Sequence, residues 1–401
     1  MDIKFSPPDI REEDIKAVEE VLRSGWITTG LKVREFENDI ATFCKSEKAV
    51  AFNSATAALE MTLRMLGVGK GDEVITSAYT YTASASVIEH VGAKIVLVDT
   101  YPDSYFMDLD KLEKAINKHT KVIIPVDIGG IMCDYDKIYE IIERKRNKFR
   151  AAKNEFQMLF NRIIVLADGA HSLGATYHGR PSGSVADFTC FSFHAVKNLT
   201  TAEGGAVTWP HKDGLDDGYA CRKLARMGLH GQSKDAMSKL KKGAWEYDIT
   251  MLGFKNNMTD IAAALGISQL KRYESLLKRR REIVEKYNKA FRDLNVAPAN
   301  HFNGDSVSSC HLYLLQLNGF DKEKRNEIIG LLAEQGIAVN VHYKPLPLLS
   351  AYKNIGFDIN RYPNAYRQYE REITLPLNTI LTDEEVDYVI ESFIKAYHSV
   401  S

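Results

Sequence analysis

Cysteine is scarce. The 401 residues contain five, Cys44, Cys133, Cys190, Cys221 and Cys310. They are odd in number, widely scattered and never spaced CxxC, which excludes a zinc ribbon and a dithiol redox site and points to reduced structural thiols. Charge of one sign is missing too: Lys+Arg 52 against Asp+Glu 53 leaves a net −1. No nucleic-acid partner and no anionic membrane surface is expected of such a balance. No apolar run reaches the roughly 18 residues that suggest a membrane span. The N-terminus, MDIKFSPPDIREED, has no basic segment leading into an apolar one. No secretory signal is therefore expected, and the cytoplasm is the expected location. Absent as well are GxGxxG after a strand, GxxxxGK[ST], HExxH and GxSxG, so the common dinucleotide, nucleoside-triphosphate, zinc-protease and serine-hydrolase signals exclude themselves. No metal site is expected.

What is present is an alternation of short apolar runs with helical patterns. KAVAF (48–52), EVITS (73–77), KIVLV (94–98), KVIIPV (121–126) and RIIVLA (162–167) read as strands. Helical patterns at 55–66, 82–90, 110–117 and 135–145 separate them. Nearly continuous apolar strands interleaved with helices predict an α/β fold: a mostly parallel sheet covered on both faces. FTCFSF (188–193) and 206–209 follow without an intervening long helix, which predicts strand pairing within the same sheet. Ahead of all this, PPDIREEDIKAVEEVLRSG is helical, with Ile10, Ile15, Val18, Val21 and Leu22 near 3.6 spacing and Asp9 as N-cap. A second helix spans about 32–43. The helical pattern of 260–291 is too long for one globular helix and predicts a kink or a link between domains. The boundaries expected are 1–270, a large domain including the N-terminal helices, and 271–401, the linking helix and a smaller α+β domain. In the latter, strands are expected at 310–316 and 338–342 and helices at 322–335, 364–372 and 382–398, with Pro363 at a helix start where its missing N–H does no harm. The basic stretch ERKRNKFR (143–150) reads as an exposed helix end.

In such a sheet, ligands sit at the carboxyl ends of strands. Asn53-Ser54-Ala55-Thr56 ends one strand and opens a helix, where small residues and free amides attract an anion. Asp168 ends RIIVLA, with His171 three residues on. Asp99 and Asp127 occupy similar places, so position alone does not choose among the three. Lys197 lies just past FTCFSF, among Ser192, Thr200, Thr201, Ala202 and Gly204-Gly205. A Lys, an Asp and an anion-binding helix start together describe a pyridoxal phosphate site: the Lys for a Schiff base, the Asp for the pyridine nitrogen, the helix start for the phosphate. Tyr79 and Tyr81 are candidates to lie on the ring face.

The ordered segments SGWITTGLKVREFE, NSATAALEM, GDEVITSAYTYTASASVIEHVGAKIVLVDT, ADGAHSLGATYHG, FSFHAVKNLTTAEGGAV, GFKNNMTDIAAALGISQL, VHYKPLP and YEREITLPLNTILTDEEVDYVIESF resemble the DegT-type sugar aminotransferases, a branch of the fold type I pyridoxal phosphate enzymes. The resemblance spans nearly the whole chain. It implies that Lys197 is the Schiff-base lysine and proton carrier and that Asp168 pairs with the pyridine nitrogen. It places His171 near the ring's phenolic oxygen and Tyr81 on the ring. Ala55, Thr56 and Ser192 become phosphate donors. Asn257 falls where the family sends a side chain across the interface of a homodimer to the same phosphate. Thr28, His342 and Tyr343 are implied contributors to a sugar pocket. The implied reaction moves an amino group from an amino acid, glutamate by resemblance, to a nucleotide-linked keto-sugar of the 4-keto-6-deoxy hexose class, for surface polysaccharide or glycoconjugate. A 3-keto sugar is the alternative substrate. Related sugar dehydratases replace the Lys with His, and a non-catalytic regulator or scaffold would be expected to lose the Lys or the Asp. Four departures stand out: SAT in place of SGT, TAEGG in place of TGEGG, Asn256 where an aromatic is common, and a longer connector at 144–162.

Overall fold

The computed structural model describes residues 1–233 and 245–401. Along the chain run α1 (Glu12–Ser24), α2 (Leu31–Cys44), β1 (Lys48–Phe52), α3 (Ala55–Met65), β2 (Glu73–Ser77), α4 (Ala83–His90), β3 (Lys94–Val98), α5 (Leu109–Ala115), β4 (Thr120–Ile124), α6 (Tyr135–Arg144), α7 (Glu155–Phe160) and β5 (Ile164–Asp168). Next come β6 (Thr176–Tyr177), β7 (Arg180–Pro181), β8 (Phe188–Ser192), β9 (Gly205–Trp209), α8 (Asp217–Gly228), α9 (Asp260–Leu270) and α10 (Tyr273–Ala290). The rest comprises β10 (Val296–Pro298), β11 (Phe302–Asn303), β12 (Ser306–Val307), β13 (Tyr313–Leu317), α11 (Lys322–Glu334), α12 (Ser350–Asn354), α13 (Pro363–Arg371), β14 (Glu372–Leu375) and α14 (Asp383–Val400).

Seven strands form the large sheet in the order β1-β9-β8-β5-β4-β2-β3. The pairs from β8 through β5, β4 and β2 to β3 are parallel, and β9 runs antiparallel to both β1 and β8. Alternate residues feed opposite faces, as the period of two requires. Val122, Ile124, Ile164 and Leu166 pack under α3 and α4, whereas Ile123, Val165 and Ala167 pack against α5 and α6. Both faces are therefore apolar, and the strands read as unbroken apolar runs. A separate core joins α10, α11 and α14 over β13 and β14 and takes in Ile3 from the N-terminus. The helical pattern of 260–291 is broken at Lys271–Arg272. The first half of α10 sends Tyr273, Leu276 and Leu277 to the core around α2, and its second half sends Ile283, Val284 and Tyr287 to the C-terminal core.

Several expectations fail. Residues 338–342 form no strand; Asn340 alone bridges Thr374. The helix expected to reach 372 stops at Arg371, and Glu372 opens a buried strand. Asp9 does not cap α1. Arg11 holds that position, while Asp9 accepts from Arg11 and Thr379. The expected apolar face of α1 is largely exposed: Val21 is buried, but Ile10, Ile15 and Leu22 are not. The contacts of α1 go to α9, with Asp14 buried against Arg272. The five cysteines are free, as expected, and all but Cys221 are buried. In the long connector, Asn154 caps α7 and donates to Met65 O at 3.0 Å, and Gln157 donates to Leu66 O at 2.8 Å. These bonds tie the connector to the carbonyl end of α3, one of the helix ends that otherwise lacks partners.

Candidate active site

The first wall of the site is the start of α3. Ser54 caps the helix by accepting from Ala57 N at 3.1 Å, and Ala58 N closes on Ser54 O. The amides of Ala55 and Thr56, ahead of these, are the first of the helix and carry its positive end. Gly205 lies against them: a Cβ there would stand 2.3 Å from Ala55 N. The glycine is what lets β9 run this close to the helix start.

The floor is Asp168, at the carboxyl end of β5. Its Oδ2 accepts from Ser84 Oγ at 2.6 Å and its Oδ1 from Ala170 N at 3.1 Å. Burial raises its pKa, against which these two hydrogen bonds and the charge of Lys197 work. Geometry separates the three strand-end acids. Asp127 is spent on Cys133 N, Tyr135 and Ser172. Asp99 holds Lys111 and the amides of Asn364 and Ala365 at the start of α13. Only Asp168 of the three lines the cavity described below.

Lys197 projects from a closed loop. Past β8, Phe193 N bonds Gly204 O, and Thr201 N and Thr200 Oγ1 both return to Phe193 O. Asn198 ties the loop to Ser309 O at 2.8 Å. Burial pulls the Lys197 amine down to a pKa of about 8, with Asp168 opposing. His171 is held on two sides: Gly129 N donates to its Nδ1 at 3.1 Å, and its Nε2 meets the Tyr343 hydroxyl at 3.2 Å. Its ring packs on His311 with centroids 4.3 Å apart. Burial keeps His171 well below its ordinary pKa.

A cavity of about 360 Å³ joins these pieces. Ala55, Thr56 and Ser192 line one part of it; Asp168, Lys197 and His171 line another; Tyr81, His342 and Tyr343 complete it. Tyr81 is 61% exposed at the mouth, 5.9 Å from the Tyr343 ring. Tyr79, the other aromatic candidate, is buried behind and donates to His342 O at 2.8 Å. Two expected residues, Thr28 and Asn257, do not line this cavity. Thr28 accepts from Asp260 N through its carbonyl, and Asn257 donates to Thr29 Oγ1 at 2.6 Å; the two sit together beside the end of β1, where Asn257 bridges Phe52. Sequence reasoning missed Ser84, Asn198 and His311. A serine at a helix start looks like any cap, and the other two act over more than a hundred residues of separation. Open grooves of about 670 and 770 Å³ elsewhere lack a comparable set of groups.

The donor set fits pyridoxal phosphate. Helix amides with two hydroxyls suit a phosphate, a buried carboxylate suits a protonated ring nitrogen, and an amine of lowered basicity suits an aldehyde. The model of the DegT/DnrJ/EryC1/StrS aminotransferase family matches residues 8–394. The chain belongs to this family. Among solved structures, that of Spr1654 from Streptococcus pneumoniae in its PLP-form, a protein assigned as a sugar aminotransferase, is similar with 53% identity, TM-score 0.97 and full coverage of both chains. PseC of Helicobacter pylori, an aminotransferase involved in the biosynthesis of pseudoaminic acid, is similar with 29% identity, TM-score 0.86 and full coverage of both chains. The spore coat polysaccharide biosynthesis protein SpsC of Bacillus subtilis is 38% identical, covering 97% of this chain and 96% of its own. The fold is accordingly that of the DegT/DnrJ/EryC1/StrS aminotransferases, whose cofactor is pyridoxal phosphate. Among the described residues, no helix is long and apolar enough to cross a membrane.

Proposed function

We propose that this chain is a sugar aminotransferase that moves an amino group from an amino acid, L-glutamate, to a nucleotide-linked keto-sugar of the 4-keto-6-deoxy hexose class. The product would serve surface polysaccharide or glycoconjugate synthesis, in the cytoplasm, with the enzyme acting as a homodimer. The observation that carries the reading is the shared cavity: Lys197, Asp168 and the start of α3 face one space of about 360 Å³. The names of SpsC and PseC support a sugar-derived product.

When bound, pyridoxal phosphate supplies an aldehyde that takes up amino groups and a protonated ring that accepts electrons. The chain does the rest. Lys197 would hold the aldehyde and move a proton at the substrate carbon; it must be neutral to do so, and burial favours its neutral form. Asp168, oriented by Ser84, would keep a proton on the ring nitrogen. Ala55, Thr56 and Ser192 would anchor the phosphate, joined by Asn257 from a second subunit. His171 would meet the phenolic oxygen and Tyr81 would cover the ring. Thr28, His342 and Tyr343 contact the sugar. Retention of a Lys at 197 speaks against the dehydratase alternative, and retention of both Lys197 and Asp168 against a scaffold.

The test is mass spectrometry after incubating the holoenzyme with glutamate and a panel of keto-sugar nucleotides. An amino-sugar nucleotide formed from a 4-keto-6-deoxy member, and lost in Lys197→Ala, is the expected result. Loss of water from the sugar without gain of nitrogen would identify a dehydratase instead.

A further inference from the structure

Behind the cavity, His342 leads into two side chains, Thr374 and Glu372, to which the reading above gives no role. His342 lines the cavity, and its Nδ1 is 2.8 Å from Thr374 Oγ1. Thr374 Oγ1 in turn donates to Glu372 Oε1 at 2.5 Å. Glu372 also accepts from His342 N through Oε2 at 2.7 Å. Glu372 and Thr374 are fully buried on β14. The His342 ring is held between Phe5, stacked at 5.5 Å, and the edge of Tyr343 at 4.9 Å. A threonine hydroxyl has one proton to give. If it goes to Glu372, Nδ1 must be the donor to Thr374 and Nε2 is left as a bare acceptor. If Glu372 carries the proton, each bond reverses and Nε2 becomes the N–H. The state of the buried acid thus sets the state of the nitrogen left to the cavity.

We propose that His342, backed by Thr374 and Glu372, is a second proton-transfer group of the cavity besides Lys197, and that the proton is stored on Glu372. The proposal rests on the aminotransferase reading for its purpose. The amino-acid donor arrives as an ammonium ion and must lose a proton before its nitrogen bonds to carbon. The sugar's carbonyl oxygen must gain two protons before its C–O bond breaks and it leaves as water. When Nε2 takes a proton, the Nδ1 proton passes to Thr374 Oγ1 and the threonine's own proton to Glu372 Oε1. The imidazole ends neutral, and the reverse sequence returns the proton; no electrons are exchanged. His342 is the catalytic member, and Thr374 and Glu372 are positioning residues that act through it.

The surroundings suit this use. Around Glu372 stand Arg325 of α11, which donates to its backbone carbonyl, and the hydroxyls of Tyr79, Tyr105 and Tyr343; Lys197 faces His342. Burial raises Glu372 to a pKa of about 8, within reach of neutral pH, while Thr374, the His342 amide and Arg325 oppose the rise.

The experiment is nitrogen NMR of the full-length holoenzyme labelled in histidine, combined with half-reaction kinetics. The His342 ring should carry its proton on Nε2 below about pH 8 and on Nδ1 above it, without passing through the doubly protonated form. Thr374→Val should abolish this exchange and lower kcat about 10²-fold, and Thr374→Ser should restore both. Glu372→Gln, which keeps an acceptor but cannot take the proton, should leave one tautomer throughout. A wild-type His342 fixed in one tautomer, or a Thr374→Val variant equal to wild type in kcat, overturns the relay. A holoenzyme that transfers no amino group would overturn the functional reading instead, and the tautomer measurement would still decide whether the relay exists.

Discussion

Asp168 ends β5 and Lys197 sits on the loop past β8, and each is in a costly place: an amine and a carboxylate removed from water. The structure answers the cost for Asp168 with Ser84 and Ala170 and leaves Lys197 with a weakened hold on its proton. The sign of that shift makes a prediction. A lysine whose pKa falls from 10.5 to about 8 is mostly neutral above pH 8. Capture of pyridoxal phosphate by the cofactor-stripped chain should therefore accelerate as pH rises to about 8 and then level. Stopped-flow absorbance checks this; a rate still climbing towards pH 10.5 would show an ordinary, solvated amine. At this scale Lys197 and Asp168 could be picked from the sequence because each follows a buried strand. Yet the choice of Asp168 over Asp99 and Asp127 needed either the resemblance or the hydrogen bonds that occupy the other two. Ser84 could not be picked, since its role depends on a partner 84 residues away.

At the scale of elements, the site depends on how closely β9 approaches α3. Gly205 has no Cβ to hold it off, and Ser54 keeps the first turn of the helix in place. Gly205→Ala should push the two apart. Overpacking of this kind costs about 1–3 kcal/mol, which is roughly five- to 150-fold in cofactor affinity if the strain falls on the helix start. Titration of the stripped variant with pyridoxal phosphate, followed by absorbance, measures it; unchanged affinity would show that the α3 amides do not hold the phosphate. The strands of the large sheet were legible because both faces are covered, which makes KAVAF or RIIVLA apolar throughout. EITL of β14 was not, because it follows α13 with no breaker between them and its Glu372 and Thr374 look like surface residues until their bonds to His342 are seen. The strand expected at 338–342 failed for a related reason: its apolar residues pass the end of β14 with one bridge at Asn340 and form no ladder.

At the scale of the molecule, one subunit leaves features that a second would account for. Ile15 and Leu22 of α1 are exposed, as are Trp245 at 78% and Leu252 at 95%. Where such groups gather into one patch they mark an interface. Thr28 and Asn257, both implied site residues, sit together outside the cavity of their own chain. If Asn257 serves the neighbouring cavity, mixing Lys197→Ala with Asn257→Ala chains should yield hybrid dimers with one fully restored site, although each parent is impaired. Activity after mixing, no higher than in the parents, would place Asn257 in service of its own subunit. The α/β architecture was legible from the alternation of runs. The excessive length of the 260–291 pattern also announced a kink or a link between domains; the break falls at Lys271–Arg272, and α10 serves two cores.

The central claim is that Lys197 carries the cofactor, and borohydride reduction of the holoenzyme followed by peptide mass mapping tests it most directly. The expected result is a pyridoxyl phosphate adduct on the peptide that contains Lys197 and on no other lysine peptide. An adduct on a different lysine, or a reduced protein without one, would contradict the account.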